Sequence, residues 1–393
     1  MANKEYKDIV IIGGGMTGAA CASGLAPLGL QIQLIEKSPP PSYDFNQPYD
    51  LRISAISEGS VSLLKKLKAW DFIQQGHITP YSELQVGEMQ GFDAHFSSQL
   101  LNLPQLGFML ENNLIQWGLW QTFPSYSNIH TSTNCSIKKM AFQNHHWTIE
   151  LHNGQIFETP WVIAADGAKS KVREMAGIGV SGWQYRQDCF LILVQTKNHF
   201  PPVTWQKFYT SGPRALLPLK DGQACLIWYD SPTKIKQLKS LSPPQLIKEI
   251  EQHFPYQFLD LSIQQFGSFP LTRQHALDYV KNHVILVGDS AHTINPLAGQ
   301  GVNLGFKDVN QLIETFRSAA QTQKTITSDY LIQHYQQKRK YDNLLMQTAM
   351  DLCYKGFKEE ILPLKILRNS ALLFAEKCTP LKKQIIKQAL AID

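Results

Sequence analysis

"KDIVIIGGGMTGAACASGLAPLGLQIQLIEKS", residues 7–38, decides the fold. Ile9 to Ile12 is a short, β-branched run of the kind a strand buried on both faces requires. It breaks at glycine, and an Ala- and Leu-rich run from Met16 to Leu28 then reads as helix. Ile32 to Ile35 is a second strand that closes on Glu36. Strand, tight turn, helix and strand make a βαβ unit. Gly13, Gly15 and Gly18 fill the turn as G-x-G-x-x-G. Gly13 permits the tight bend, Gly15 lets the backbone approach a pyrophosphate, and Gly18 allows close helix–strand packing. The helix then offers its unpaired N–H groups to the phosphates. Glu36 stands where a carboxylate accepts from both ribose hydroxyls and disfavours a 2′-phosphate. The adenosine expected here is that of FAD or NAD rather than NADP.

A second glycine-rich turn follows much later, in "VGDSAHTINPLAGQGVNLG", residues 287–305. A strand ends at Gly288-Asp289, a loop carries Pro296, and Gly299-Gln300-Gly301 leads into a helix from about Val302. NAD needs one mononucleotide turn, whereas FAD continues into a ribityl chain and a three-ring flavin. Asp289 suits a ribityl hydroxyl. Gly299 and Gly301 would let backbone N–H groups reach the pyrimidine edge of the flavin. The positive end of the next helix favours the anion formed there on reduction, by about 0.3–2 kcal/mol. A packed loop histidine is the simpler reading of His292, and catalysis the other. "AADGAKSKVR", residues 164–173, places Asp166-Gly167 after a buried strand, beside the first turn if that strand joins the same sheet. "GIGVSG", residues 177–182, fits the same glycine pattern but follows a helix, so it reads as a loop.

Composition narrows the class. Six scattered cysteines without a C-x-x-C pair argue against structural zinc and a disulfide framework. They favour a reducing, cytoplasmic setting. No apolar run reaches the roughly 18 residues of a spanning helix. Residues 331–393 hold 11 Lys+Arg against 6 Asp+Glu, which is the whole net charge of +5. The remainder is formally neutral, which argues against a nucleic-acid partner. "TPLKKQIIKQALAI" puts Leu381, Ile385, Ile386, Ala389 and Leu390 beside Lys382, Lys383 and Lys387. Such a basic amphipathic helix either packs on the domain or lies on an anionic membrane. Between these regions, residues 188–230 alternate apolar and polar as antiparallel sheet. The order β/α, antiparallel β, β/α predicts interleaved domains.

G-x-G-x-x-G, D-G-x-x-S-x-V-R and G-D-x-A-H…P…G-Q-G-x-N, in this order, resemble the class A flavoprotein aromatic hydroxylases. "RISAISEGSVSLLKKLKAWD" (52–71), "GPRALLPL" (212–219) and "FPLTRQHALDYV" (269–280) look like the ubiquinone-biosynthesis hydroxylases. They are most similar to the branch acting on 2-octaprenyl-3-methyl-6-methoxy-1,4-benzoquinol. Ser290 stands where alanine is common in the family.

The resemblance implies an α/β fold: a Rossmann-like FAD-binding domain interleaved with an antiparallel β-sheet substrate domain, plus C-terminal helices. The expected division is 1–70, 106–176 and 276–330 for FAD, 71–105 and 177–275 for substrate, and 331–393 as the helical region. It implies hydroxylation of a prenylated benzoquinol by O2 through a flavin C4a-hydroperoxide. NAD(P)H is the expected transient electron donor, with a ferredoxin-like donor as the alternative. Gly13, Gly15, Gly18 and Glu36 would hold the AMP half. Arg52 would approach the flavin side, Asn112 would contact FAD, Asp166 would join FAD to the transient NAD(P)H surface, and Asp289 would take the ribityl chain. Pro296, Gly299, Gly301, Val302 and Asn303 would surround the flavin, with Pro296 and His292 near its reactive C4a. No catalytic base or metal is called for. Trp205, Leu216, Trp228 and Tyr229 would form the substrate wall, with core packing as the competing reading of each aromatic. A soluble aromatic substrate, or a non-catalytic FAD-binding subunit in a complex with other ubiquinone-biosynthesis proteins, are the alternatives.

Overall fold

The computed structural model describes residues 4–89, 92–294, 300–358, 368–370, 373–374 and 376–390. Among these, eight helices have eight or more residues. They are α1 (Met16–Leu25), α2 (Glu58–Lys66), α3 (Asn112–Trp120), α4 (Pro232–Lys239), α5 (Pro243–His253), α6 (Gln300–Gln321), α7 (Gln337–Lys358) and α8 (Thr379–Leu390).

The opening βαβ unit builds a six-stranded sheet. Its order is Val280–Lys281, Val284–Leu286, Trp161–Ala164, Ile9–Ile12, Ile32–Ile35, Ile129–Ser132, all parallel except the first, edge pair. The central strands are buried throughout, as a parallel sheet covered on both faces requires. The carboxyl ends of Ile9–Ile12, Trp161–Ala164 and Val284–Leu286 therefore lie side by side. Each feeds one of the three motifs: the first glycine turn, Asp166-Gly167 and Gly288-Asp289. Helices α1 and α6 pack so closely that a Cβ on Gly24 would come within 2.0 Å of Ile313 Cδ1. Thr17 wedges between the two glycine turns, since a Cβ on Gly288 or Gly305 would meet its Cγ2 at 2.9 or 2.7 Å.

The second large sheet has eight strands, in the order His292–Thr293, Ser262–Ala276, Val180–Gln195, Gln223–Asp230, Arg214–Pro218, Val203–Lys207, Glu83–Gly87, Ala94–Ser97. It is antiparallel except where Val203–Lys207 runs parallel to Glu83–Gly87. Alternation gives it two faces. Phe190, Ile192, Trp205, Leu216 and Trp228 pack against Ile235, Leu238, Leu246 and Ile250 of α4 and α5. Leu193, Leu217 and Cys225 pack the other way, against Ala55, Tyr81 and Met109, with Leu191 and Ile227 alongside. This second face packs on a three-stranded sheet, Ile53–Ser57, Gly107–Glu111 and Ile78–Tyr81, and on Ile386 and Leu390 of α8. Two segments cross the expected division. Ile78–Tyr81 joins this small sheet rather than the large one. His292–Thr293, shortly after Gly288-Asp289, pairs with the large one. The last three residues of "GIGVSG" open the long strand Val180–Gln195.

Candidate cofactor site

The glycines of the first turn divide by what surrounds them. Gly13 sits at φ +102°, and a Cβ there would lie 2.4 Å from the Ala165 carbonyl oxygen. A Cβ on Gly18 would lie 1.8 Å from the Gly13 oxygen. These two are excluded by protein. A Cβ on Gly15 would meet no atom within 4 Å. That space lies at the N-terminus of α1, where phosphates bind. Glu36 Oε2 accepts from the Gly14 N–H (2.6 Å) and Oε1 from the Ser38 N–H (2.9 Å). Each carboxylate oxygen keeps acceptor capacity for a ribose hydroxyl. The Gly14 carbonyl accepts from Gln116 Nε2 (2.9 Å) and Trp120 Nε1 (2.8 Å) of α3. Sequence reasoning missed both residues. Their distance along the chain gave no signal.

The other two motifs close on this turn. Ser170 caps the short helix Lys171–Met175 by accepting from the Arg173 N–H (3.0 Å). The buried Arg173 guanidinium donates to the Ser290 carbonyl (2.8 Å) and the Ala168 carbonyl (3.0 Å). Ser290 Oγ donates in turn to the Ala164 carbonyl (2.6 Å), so it stitches two strand ends together. Asp166 Oδ2 accepts from the Val172 N–H (3.2 Å), while its Oδ1 is buried without a hydrogen-bond partner. Asp289 is accessible yet hemmed in by protein, as a carboxyl on the floor of a crevice would be. Burial raises its pKa, and the charges of His292 and Arg52 oppose the rise. Arg52 is thereby placed within electrostatic reach of Asp289, with its guanidinium 5.6 Å from the Phe269 ring centroid. The Arg52 carbonyl accepts from the Asn112 N–H (2.9 Å), and Asn112 Oδ1 accepts from Ser54 Oγ (2.6 Å). Buried Glu111 fixes the preceding loop by accepting from Tyr43 Oη and the Asp50 N–H.

At the start of α6, a Cβ on Gly301 would meet no atom of the described residues within 4 Å. Val302 packs partly buried against the main core. Asn303 is fully buried, and its side chain serves the protein. Oδ1 accepts from the Ser57 N–H (3.0 Å) and Ser60 Oγ (2.8 Å), and Nδ2 donates to the Ala55 carbonyl (2.9 Å). Its expected contact with flavin is left to its main chain. Pro296 and Gly299 lie outside the described residues. Two open cradles at helix N-termini, an orphaned Asp166 oxygen and a recessed Asp289 carboxyl fit a long, anionic, hydroxyl-bearing dinucleotide.

Three expectations need correction. His292 does not face the crevice: it is buried, with Nε2 2.5 Å from Asp308 Oδ2. Trp205, Leu216 and Trp228 point into the core under α4 and α5, whereas Tyr229 points to the opposite face with Tyr185, Cys189 and Leu271. Neighbours such as Trp228 and Tyr229 cannot share a face of a strand. Trp205 and Leu216 do border a cavity of about 240 Å³, but with Phe200 and Tyr256 on that far side. The apolar stripe of α8 is divided. Ile386 and Leu390 are buried beside Leu217 and Leu219, Lys382 is buried against Glu376 (2.7 Å), and Ile385 faces outwards.

Asp289 yields a prediction whose sign follows from its raised pKa. Between the unfolded value near 3.9 and the higher folded value, the native state binds more protons. Stability therefore falls as pH rises through that window, and the charged carboxylate is a net cost at pH 7. Asp289→Asn should leave the apoprotein at least as stable at pH 7, measured by thermal denaturation. Flavin titration should show about 10- to 100-fold weaker binding, the loss of one hydrogen bond to a charged acceptor. An apoprotein destabilised by the change would contradict the assignment.

Comparison with known proteins agrees with this geometry. Residues 6–343 match the model of the FAD binding domain family. The chain is 44% identical to 3-demethoxyubiquinol 3-hydroxylase of Escherichia coli (strain K12), over 98% of both chains. It is 31% identical to the mitochondrial ubiquinone biosynthesis monooxygenase COQ6 of Danio rerio, over 98% of this chain and 90% of that one. Among solved structures, p-nitrophenol 4-monooxygenase PnpA of Pseudomonas putida DLL-E4 shares the fold, with a TM-score of 0.79 at 17% identity and 99% coverage of both chains. The chain belongs to the FAD-dependent class A aromatic hydroxylases, in the ubiquinone-biosynthesis group, and FAD is its cofactor.

Proposed function

We propose that this chain hydroxylates the ring of a prenylated benzoquinol in ubiquinone biosynthesis, with O2 as oxidant and NAD(P)H as transient electron donor. The observation that supports the reading is an apolar face of the large sheet whose Phe269 meets Arg52, the residue within electrostatic reach of Asp289. Cys189, Leu191, Leu193, Cys225, Ile227, Tyr229 and Phe269 share it, with Arg52 at its edge over Phe269. The similarity to 3-demethoxyubiquinol 3-hydroxylase supports the substrate class.

When bound, FAD supplies the activation of O2 and the transfer of one oxygen atom to the ring. The chain's own residues hold and enclose. The first glycine turn and Glu36 take the adenosine half, and Asp289 takes the ribityl chain. The α6 N-terminus stabilises negative charge at the flavin's far end. Asp166, with its spare oxygen, is our candidate for contact with the donor. The apolar wall excludes water and orients the ring. A benzoquinol ring is already electron-rich, so no protein base is assigned.

Quinone profiling of a deletion strain by mass spectrometry tests the reading. A quinol lacking one ring oxygen should accumulate, and an unchanged profile would refute it. The wall itself is tested by adjacent positions. Ile227→Trp should retain flavin and lower hydroxylation by about 10- to 100-fold through misplacement of the ring. Trp228→Phe should lower stability with activity per flavin unchanged. Equal effects of the two on activity would remove the assigned face. Among the described residues no helix is long and apolar enough to cross a membrane. A prenylated substrate would be met at a lipid surface, alongside other enzymes of ubiquinone biosynthesis.

A further inference from the structure

Helix α7 is built inside out. Arg339, Asn343, Gln347 and Asp351 recur every four residues, so they share one face, and all four are buried. Each is bonded inwards. Arg339 Nε meets Asp308 Oδ1 (2.8 Å), and Asn343 Nδ2 meets the same oxygen (3.1 Å). Gln347 Nε2 donates to the Gln274 and Thr293 carbonyls (3.0 and 3.1 Å). Asp351 pairs with Arg273 Nε (2.8 Å) and accepts from Tyr185 Oη. The outer face is apolar: Tyr341, Leu345 and Leu352 are 69%, 46% and 66% exposed, with Leu344 beside them. A helix facing water carries the reverse pattern. From Asn343 to Tyr354 the one charged residue is the buried Asp351. Lys338 and Lys340 precede this window, and Lys355 and Lys358 follow it. The exposed Asp342 is paired with Arg339 (2.8 Å). The patch broadens beyond the helix. Lys340 Nζ donates to the carbonyl of Leu277, which is exposed, and exposed Trp183 lies under the Arg273 guanidinium (4.4 Å).

We propose that the outer face of α7 docks on an anionic lipid surface. An apolar centre with the exposed Lys338 before it and the exposed Lys355 after it matches the headgroup–acyl boundary, where leucines enter and lysines reach the headgroups. A second copy of the chain fits less well, because a two-fold pairing of this helix would bring its lysine-bearing ends together. The inner side of α7 adds a reason for docking here, one that rests on the proposed substrate. Tyr354 packs on Tyr185 (ring centroids 4.9 Å apart), which belongs to the cluster of Cys189, Tyr229 and Leu271. A single helix therefore separates the proposed substrate wall from the lipid, and a prenyl chain would enter beside it.

The test is flotation of the holoenzyme with vesicles of phosphatidylcholine plus phosphatidylglycerol, and of phosphatidylcholine alone. The wild type should float with the mixed vesicles and less with the neutral ones. Leu345→Glu combined with Leu352→Glu should lower the bound fraction about tenfold, as should Lys338→Glu with Lys355→Glu. Both variants should retain FAD. The leucine variant should still hydroxylate a short-chain, water-soluble benzoquinol at the wild-type rate. Failure of that reaction in the wild type would count against the proposed substrate, and normal flotation of the leucine variant against the docking face. A wild-type chain that ignores both vesicles, or that forms a dimer abolished by the leucine substitutions, would overturn the proposal.

Discussion

Gly15→Val should purify folded and nearly colourless. The expectation rests on space. A side chain at this position would meet no protein atom within 4 Å of its Cβ, so the fold has no reason to reject it. Gly15 is the N-cap of α1, in extended backbone at φ −66° and ψ −174°, which valine adopts readily. The isopropyl group would instead fill the ground over the α1 N-terminus that a pyrophosphate needs. Overpacking of this kind costs about 1–3 kcal/mol or more, equivalent to at least about 10- to 100-fold in flavin affinity. Gly18→Val provides the contrast. Its Cβ would lie 1.8 Å from the Gly13 oxygen, inside any van der Waals radius, so this variant should lose solubility along with flavin. Circular dichroism and the flavin absorbance per mole of chain distinguish the two. A yellow Gly15→Val protein with normal affinity would mean that the pyrophosphate does not lie over this turn.

The division between those glycines shows how much of the site the sequence carried. The G-x-G-x-x-G spacing, the flanking strands and Glu36 are local features, and local periodicity reports them well. The structure adds which glycine is excluded by protein and which is open, and that depends on the strand Trp161–Ala164, far along the chain. Glu36, Asp166 and Asp289 were legible because each ends a short buried strand of one parallel sheet, where ligands gather. Trp228 and Tyr229 were not legible as a pair. Alternation says that they face opposite ways, but only α4 and α5, packed on one side, say which way is in. The polar stripe of α7 was not read from the sequence, for the reverse reason. A hydrophobic pattern identifies faces, and the usual rule assigns the apolar one to the core. Here Asp308, Arg273 and two strand carbonyls supply enough partners to bury the polar face instead. The tail helix left two readings open for a similar reason: Ile385 and Ile386 are about 100° apart on the helix, and only the second reaches the core.

Asp308→Asn should cost about 3–5 kcal/mol of stability at pH 7, the range for breaking a buried ion pair by removing one partner. The fully buried Asp308 carboxylate joins three parts of the molecule. Oδ2 accepts from the Gly288 N–H (3.0 Å) and lies 2.5 Å from His292 Nε2, and Oδ1 takes Arg339 Nε (2.8 Å) and Asn343 Nδ2 (3.1 Å). An asparagine would turn an N–H₂ group towards donors and leave the Arg339 guanidinium without its counter-charge. Because Gly288 precedes Asp289 and Asp308 lies on α6, the same change loosens both ends of the flavin crevice. Flavin affinity should fall together with stability even though Asp308 is turned away from the crevice. The pH dependence separates the charge from the shape. Burial alone would raise the Asp308 pKa, but the charges of His292 and Arg339 outweigh burial and hold it below the usual carboxylate range. A depressed carboxyl contributes stability that is fully present above the unfolded value near 3.9 and is lost as pH falls towards the folded one. The part of the gap between the denaturant midpoints of wild type and variant that comes from the Asp308 carboxyl should thus begin to close as pH falls below about 5. The midpoints should converge below about pH 4, where the unfolded carboxyl takes up its proton. A gap that persists undiminished into acid would show that the hydrogen-bond geometry, and not the charge of Asp308, ties α6 and α7 to the second glycine turn.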